Sequence, residues 1–267
     1  MLHDSMPLAA FHIFKSQRLN DAFVIDIHCH LTEEPLYTNL GKILEEAKQA
    51  GVVAVITSGI GYADCLKALS IADNSFVHAS LGVEPYDLND YEKVIELIER
   101  NKDKIVAVGE VGLDYYWGKR ETRENQLRVF KEFISLAKET GLPLVIHSRS
   151  AGKYALDVLI EAGAEKVVMH AFDGAASEAF RGASKGFFFS VPPSVVRSEQ
   201  KQKMVKRLGL ENLMLESDAP VLGPERGVVN TPANIIISAE AISRLKNIPL
   251  DKVVEVTSEN AKNIFKL

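Results

Sequence analysis

Residues 24–30 read Val-Ile-Asp-Ile-His-Cys-His, an apolar run that ends in two histidines one residue apart. Side chains alternate across a strand, so His28 and His30 are expected on one face with Asp26, and Ile27 with Cys29 on the other. Neutral imidazole nitrogens bind borderline divalent ions, so a paired H-x-H at a strand end can open a metal site. Four more ionisable residues stand at the ends of later apolar runs: Glu110, His147, His170 and Asp218. Singly, each has an ordinary explanation as a hydrogen-bonded rim histidine, a turn acid or a helix cap. Jointly they place four of the chain's seven histidines and two acids in equivalent positions, which chance does not readily do. Four imidazoles and two carboxylates supply donors for two divalent ions and leave positions for water and substrate. Two such ions outweigh the carboxylates, so the pocket is locally cationic and suits a phosphate.

The elements that must hold these groups repeat along the chain. Short β-branched runs at 23–30, 52–58, 77–84, 105–114, 144–149, 167–172, 186–191 and 213–218 predict strands. Amphipathic stretches at 38–50, 61–72, 90–101, 121–140, 151–162, 176–184, 198–208, 232–246 and 250–264 predict helices. Regular alternation implies parallel pairing through right-handed crossovers, and eight units close a (β/α)8 barrel of the α/β class. A doubly wound open sheet is the competing architecture, but no G-x-G-x-x-G follows the first strand. No linker or composition break divides 1–267, so a single barrel domain is expected, with 1–22 as an N-terminal extension read as a helix closing the barrel bottom. Catalytic groups of such barrels sit at the C-terminal ends of strands, which is where all six candidates fall. His78 opens the third strand and is assigned a structural role, while His3 and His12 in the extension receive none.

Composition sets outer bounds. A net charge of −5 over 267 residues excludes a surface that grips nucleic acid by broad positive charge, so an anionic substrate must be drawn in locally. Two cysteines, Cys29 and Cys65, make neither a disulfide framework nor a thiolate zinc module, and a reducing cytoplasm is expected. The sequence carries no signal-peptide pattern and no apolar stretch of membrane-spanning length.

Supporting residues follow from position. Asp26 and Glu216 lie two residues before His28 and Asp218, so each is expected one layer deeper, as an acceptor that orients a metal ligand. Arg149 follows the His147 strand, and Asp114, Tyr115, Tyr116 and Trp117 follow the Glu110 strand. A guanidinium suits bidentate phosphate contact, and aromatic rings suit stacking on unpaired bases. The structural alternative is that the rings cover the barrel mouth and Arg149 pairs with a carboxylate. Lys119, Arg120, Arg197 and Arg226 are loop cations of lower rank.

At this point the chain resembles a known family. Asp-Ile-His-Cys-His at 26–30, Gly-Glu-Val-Gly-Leu-Asp-Tyr-Tyr at 109–116, Leu-Pro-Leu-Val-Ile-His-Ser-Arg at 142–149, Leu-Glu-Ser-Asp-Ala-Pro at 215–220, Asn-Thr-Pro-Ala-Asn at 230–234 and Ser-Glu-Asn-Ala-Lys-Asn-Ile-Phe at 258–265 are similar to motifs of the TatD-related deoxyribonucleases, in the amidohydrolase superfamily. The resemblance implies a metal-dependent nuclease on a (β/α)8 barrel. It implies that His28 and His30 bind one ion, His147 and His170 the other, that Glu110 bridges, and that Asp218 completes the first site and serves with Glu110 in catalysis. One departure is Glu84, in Gly-Val-Glu-Pro, where the family often carries a histidine; it is a candidate substrate or metal contact, or a rim acid. The expected cofactors are two divalent ions, zinc foremost on histidine chemistry, with manganese or magnesium admitted by the family. The expected substrate is DNA, as single strands or ends attacked by an exonuclease, with no obligate protein partner. An amide, ester or lactone hydrolase on the same barrel, and a metal-binding protein without catalysis, are the competing functions.

Overall fold

The computed structural model describes residues 23–267. The extension at 1–22, with its expected helix, lies outside the described residues. Eight strands, β1 Val24–Cys29, β2 Val52–Ile60, β3 Val77–Gly82, β4 Ala107–Gly112, β5 Leu144–His147, β6 Val167–Met169, β7 Phe188–Val191 and β8 Leu213–Leu215, pair in parallel in that sequential order. Between and after them run α1 Leu40–Gln49, α2 Tyr62–Ile71, α3 Tyr91–Asn101, α4 Arg123–Thr140, α5 Gly152–Glu161, α6 Ala176–Ala183, α7 Glu199–Arg207, α8 Ile235–Lys246 and α9 Leu250–Phe265. The predicted strands and helices are all present, and the strands stop one to three residues short of their expected C-terminal ends in most cases, because the chain there leaves the ladder to form the mouth.

Strand residues feed two apolar layers. Val55, Val108, Ile146, Met169 and Leu215 join Ile43, Ile98, Phe133 and Leu156 of the helices in the outer layer. Ile25, Ile27, Ala54, Ile56, Ala107, Val145, Val168 and Met214 fill the barrel interior, with Ala261 and Phe265 of α9 completing the cluster. Nearly every strand residue is buried, as expected for parallel strands covered on both faces.

Two irregularities re-aim side chains at the mouth. In β1, Ile25 and Ile27 point into the barrel while Cys29 joins the outer layer, and the β1–β2 register shifts between Asp26 and Cys29. Strict alternation therefore fails, and the expectation that Asp26 shares a face with His28 and His30 is corrected: Asp26 lies on the side of Val24. In β4, Val108 and Val111 both join the outer layer across another register shift, which turns Glu110 inward. Bulges beside active sites commonly have this aiming role.

The strand ends are also packed backbone to backbone. A Cβ at Gly82 would lie 2.1 Å from the carbonyl oxygen of Glu110, which accepts the Val83 N–H at 2.9 Å. Gly82→Ala must push β3 off β4, and it is expected to destabilise the fold by about 3 kcal/mol. Denaturant unfolding with a loss under about 1 kcal/mol would show that the close approach is not required.

Sheet closure is made at the mouth. Beyond the β1 and β8 ladders, Asp218 N–H donates to the His28 carbonyl at 2.9 Å and His30 N–H to the Ala219 carbonyl at 2.7 Å. No helix among the described residues is long and apolar enough to cross a membrane.

Candidate metal centre

Five of the six expected ligands converge on one point at the barrel mouth. His28 Nε2 lies 3.2 Å from His30 Nε2, 3.3 Å from a Glu110 oxygen and 3.6 Å from Asp218 Oδ1. His30 Nε2 lies 3.5 Å from Glu110 and 3.7 Å from Asp218, while His170 Nε2 lies 3.8 and 3.7 Å from the same two acids. The His28 and His170 rings stack at 3.8 Å between centroids. Most of these separations exceed hydrogen-bond length, so the donor atoms surround a shared space rather than satisfy one another. Two groups of three, His28–Glu110–His170 and His28–His30–Asp218, are compact enough to hold an ion. A cluster of buried imidazole and carboxylate donors with this spacing fits a divalent metal.

His147 stands apart from both groups. Its Nδ1 bonds Glu110 Oε1 and its Nε2 bonds Asp114 Oδ2 at 2.9 Å, so both ring nitrogens are engaged by carboxylates. In this arrangement His147 does not pair with His170 as a ligand, and their ring centroids are 6.3 Å apart. Glu110 touches all four histidines, which suits the bridging position.

Burial and mutual charge set the electrostatics of the donor groups. Burial disfavours the cationic ring of His30, yet Asp218 and Glu110 carry its pKa up to about 10. Burial likewise opposes charge on His170 and His147, but Glu216, Asp218 and Glu110 raise the first to about 9, and Glu110 with Asp114 raises the second to about 10. His28 shifts the other way, through burial and its neighbour His170. Burial would raise Glu110 and Asp218 too, but the surrounding imidazoles hold both below the usual carboxylate range. Imidazole nitrogens bind a divalent ion only when deprotonated, so metal binding here is expected to release protons.

Supporting contacts divide into expected and unexpected ones. Glu216 accepts from His170 Nδ1 at 2.8 Å, Ser190 Oγ at 2.6 Å and Ala171 N–H at 2.9 Å, so it fixes the ring with Nε2 facing the cluster. Asp26 instead takes the backbone N–H groups of His28 at 3.3 Å and Ser217 at 2.8 Å through Oδ1, and its Oδ2 has no partner. It steadies backbone, not an imidazole. The ring of His28 is held by Ser58, whose Oγ lies 3.0 Å from Nδ1, and the Ser58 carbonyl faces His30 Nδ1 at 3.3 Å. No sequence signal marks Ser58 or Ser190, since one hydroxyl in a strand is ordinary.

Asp26 also carries a pH signature. Burial raises its pKa from 3.8 to about 8 despite the two hydrogen bonds. The folded state therefore keeps a proton that the unfolded chain releases, and this group makes stability fall as pH rises from about 4 to about 8. Asp26→Asn mimics the neutral acid and is expected to gain roughly 2–3 kcal/mol relative to the parent between about pH 5 and pH 7 in metal-free protein, at the limiting slope of about 1.4 kcal/mol per unit. Parallel stability curves for parent and variant would refute it.

The cluster floors a cavity of about 510 Å³ lined by Glu33, Glu84, Tyr86, Trp117, Ser148, Arg149, Asp173, Lys201, Val221 and Leu222, besides the ligands and Asp114. Arg149 makes no ion pair among the described residues; its guanidinium stacks 4.1 Å from the Tyr116 ring centroid and 5.3 Å from that of Trp117. Asp114 is a brace rather than a free acid: Oδ1 accepts the N–H groups of Tyr116 at 2.8 Å and Trp117 at 2.6 Å. Tyr115 is corrected as a substrate contact, because it packs against Tyr154 and under Arg123, away from the cavity. Tyr116 supports Arg149 without lining the cavity. Glu84 lines it, and burial with the Glu110 charge lifts its pKa to about 7. Lys119, Arg120 and Arg226 are exposed, and Arg197 bonds the Gly223 carbonyl at 3.2 Å. Lys201, unmarked in the sequence, is buried with Nζ on the Ala171 carbonyl at 2.8 Å. Cys29 and Cys65 are buried and unpaired, and His78 is buried at the start of β3.

A family model described as TatD related DNase matches residues 25–266. The chain belongs to the TatD-related DNase family. Human deoxyribonuclease TATDN3 is 43% identical over 258 residues, covering 91% of this chain and 94% of the relative. An uncharacterized metal-dependent hydrolase of Bacillus subtilis, YabD, is 34% identical over 91% of this chain and 99% of its own length. Among solved structures, the TatD homologue YjjV of Escherichia coli superposes with a TM-score of 0.86 at 27% identity, covering 91% of this chain and 98% of that one. TatD membership accounts for the order of the motifs, and the eight-stranded TatD barrel for their meeting at one rim.

Proposed function

We propose that this TatD-family member is a metal-dependent deoxyribonuclease that shortens single-stranded DNA from an end. The observation that carries the reading is the ring of buried donor atoms around a shared space at the floor of a 510 Å³ cavity. A cavity of that size admits one nucleotide unit, whereas a stacked base pair cannot descend to its floor. The human relative's name supports DNA as the substrate.

His28, His30 and Asp218 would hold one ion and His170 with His147 a second, with Glu110 shared between the two groups. The donor set favours zinc. Bound divalent ions supply positive charge to phosphoryl oxygens and lower the pKa of water. Asp218 accepts the proton of the attacking water as its oxygen bonds to phosphorus, and the bond from phosphorus to the departing sugar oxygen breaks. That oxygen then receives a proton, which balances the hydrolysis. Glu216 and Ser58 keep ring nitrogens aimed at the centre throughout. Arg149 meets a phosphate with an unpaired planar fork, and Trp117, 60% exposed, offers a stacking face.

Comparing linear and covalently closed circular single strands tests the reading. Linear DNA should be consumed at least about tenfold faster, with metal analysis giving about two ions per chain. Faster cutting of the circle would remove the end preference. Hydrolysis of small esters or amides with none of DNA would replace the activity.

A further inference from the structure

The cavity is electrically two-sided. Its lining comes from loops after successive strands, and the strands follow one another in sequential order around the barrel. In an eight-stranded ring β1 stands opposite β5, and β3 opposite β7. Glu33 after β1 therefore faces Arg149 after β5, and Glu84 after β3 faces Lys201 on α7, which follows β7. The metal cluster lies between the two halves.

The basic half is built to receive an anion. Arg149 has no ion-pair partner among the described residues, and Lys201 is only 8% exposed. Ser148 is a lining residue, though its Oγ is itself sealed from solvent and has no hydrogen-bond partner. Outside the metal cluster two acids border this side, and both are engaged: Asp173 Oδ2 accepts the Ser150 N–H at 2.7 Å, and Asp114 is held by His147 and by the Tyr116 and Trp117 N–H groups. Outside the cluster, the opposite half presents the carboxylates of Glu33 and Glu84, which accept from sugar hydroxyls and repel phosphate, beside the Tyr86 hydroxyl.

We infer that the site selects strand ends that carry a free hydroxyl, with the terminal nucleoside against Glu33 and Glu84 and the next phosphate of the chain on Arg149 and Lys201. This rests on the deoxyribonuclease reading and adds the chemistry of the end. A terminal phosphate would be pressed against two carboxylates; a hydroxyl donates to them.

The test uses four single-stranded oligonucleotides of one sequence, bearing hydroxyl or phosphate at the 3′ end and, separately, at the 5′ end, at about pH 8.5 with the metal-loaded enzyme. At the end from which digestion starts, the hydroxyl form should show kcat/KM at least about tenfold above the phosphate form. Glu33→Gln with Glu84→Gln should shrink that ratio below about threefold. Arg149→Met should raise KM for both forms and leave the ratio standing, a split that loose folding would not produce. Equal rates in the parent enzyme, a preference for phosphate, or an unchanged ratio in the double variant would overturn the inference while the nuclease stands. A parent enzyme that digests none of the four removes the nuclease reading itself.

Discussion

Asp218→Asn is expected to lower kcat on a DNA oligonucleotide by about a thousandfold or more while the barrel stays folded. The backbone at Asp218 has φ +51°, a left-handed conformation that Asn tolerates nearly as well as Asp, so the substitution leaves the loop in place. The carboxylate is what changes. Oδ1 stands 3.6–3.7 Å from Nε2 of His28, His30 and His170, and a neutral amide there withdraws the negative charge that serves both ion and proton. Steady-state kinetics with metal analysis on the same preparation separate the two losses. Turnover within tenfold of the parent at equal metal content would sink the assigned role.

Glu110→Gln is expected to empty the centre more thoroughly. One carboxylate reaches four imidazoles through both oxygens, and an amide offers a single acceptor with no charge. Metal content should fall by at least half and turnover by about a thousandfold or more. The backbone contact survives, since the Glu110 carbonyl still takes the Val83 N–H at 2.9 Å. Circular dichroism should accordingly remain that of the parent. Full metal occupancy with near-parent turnover would show that Glu110 does not bridge.

Much of this was legible before any coordinates, for physical reasons that differ by residue. His147, His170 and Asp218 sit at ends of short apolar runs, and parallel strands covered on both sides leave only their C-terminal ends for chemistry. Glu216 was legible because β8 obeys alternation into the mouth. Asp26 was misplaced because a one-residue slip in β1 turns every later side chain to the other face, and a bulge has no letter of its own. Ser58 and Ser190 act through one oxygen each, at a place fixed by the neighbouring strand and not by local spacing. Lys201 enters because Ser198 Oγ accepts its backbone N–H at 3.3 Å and starts α7 there, which orients the first turn over the mouth. Tyr115 and Trp117 belong to one aromatic run, yet Asp114 folds the loop so that only Trp117 reaches the cavity.

The seam between the first and last strands gives the molecule an unusual weak point. Its rungs are the His28 and Ala219 carbonyls and the Asp26 carboxylate, which take the N–H groups of Asp218, His30 and Ser217, at or beside residues of the metal cluster. Such a clasp couples ring integrity to cofactor occupancy: when the centre is stripped, the hoop should breathe first where β1 meets β8. Amide exchange at Ser217, Asp218 and His30 then becomes a gauge of how full the centre is, readable without substrate and without any assay of turnover.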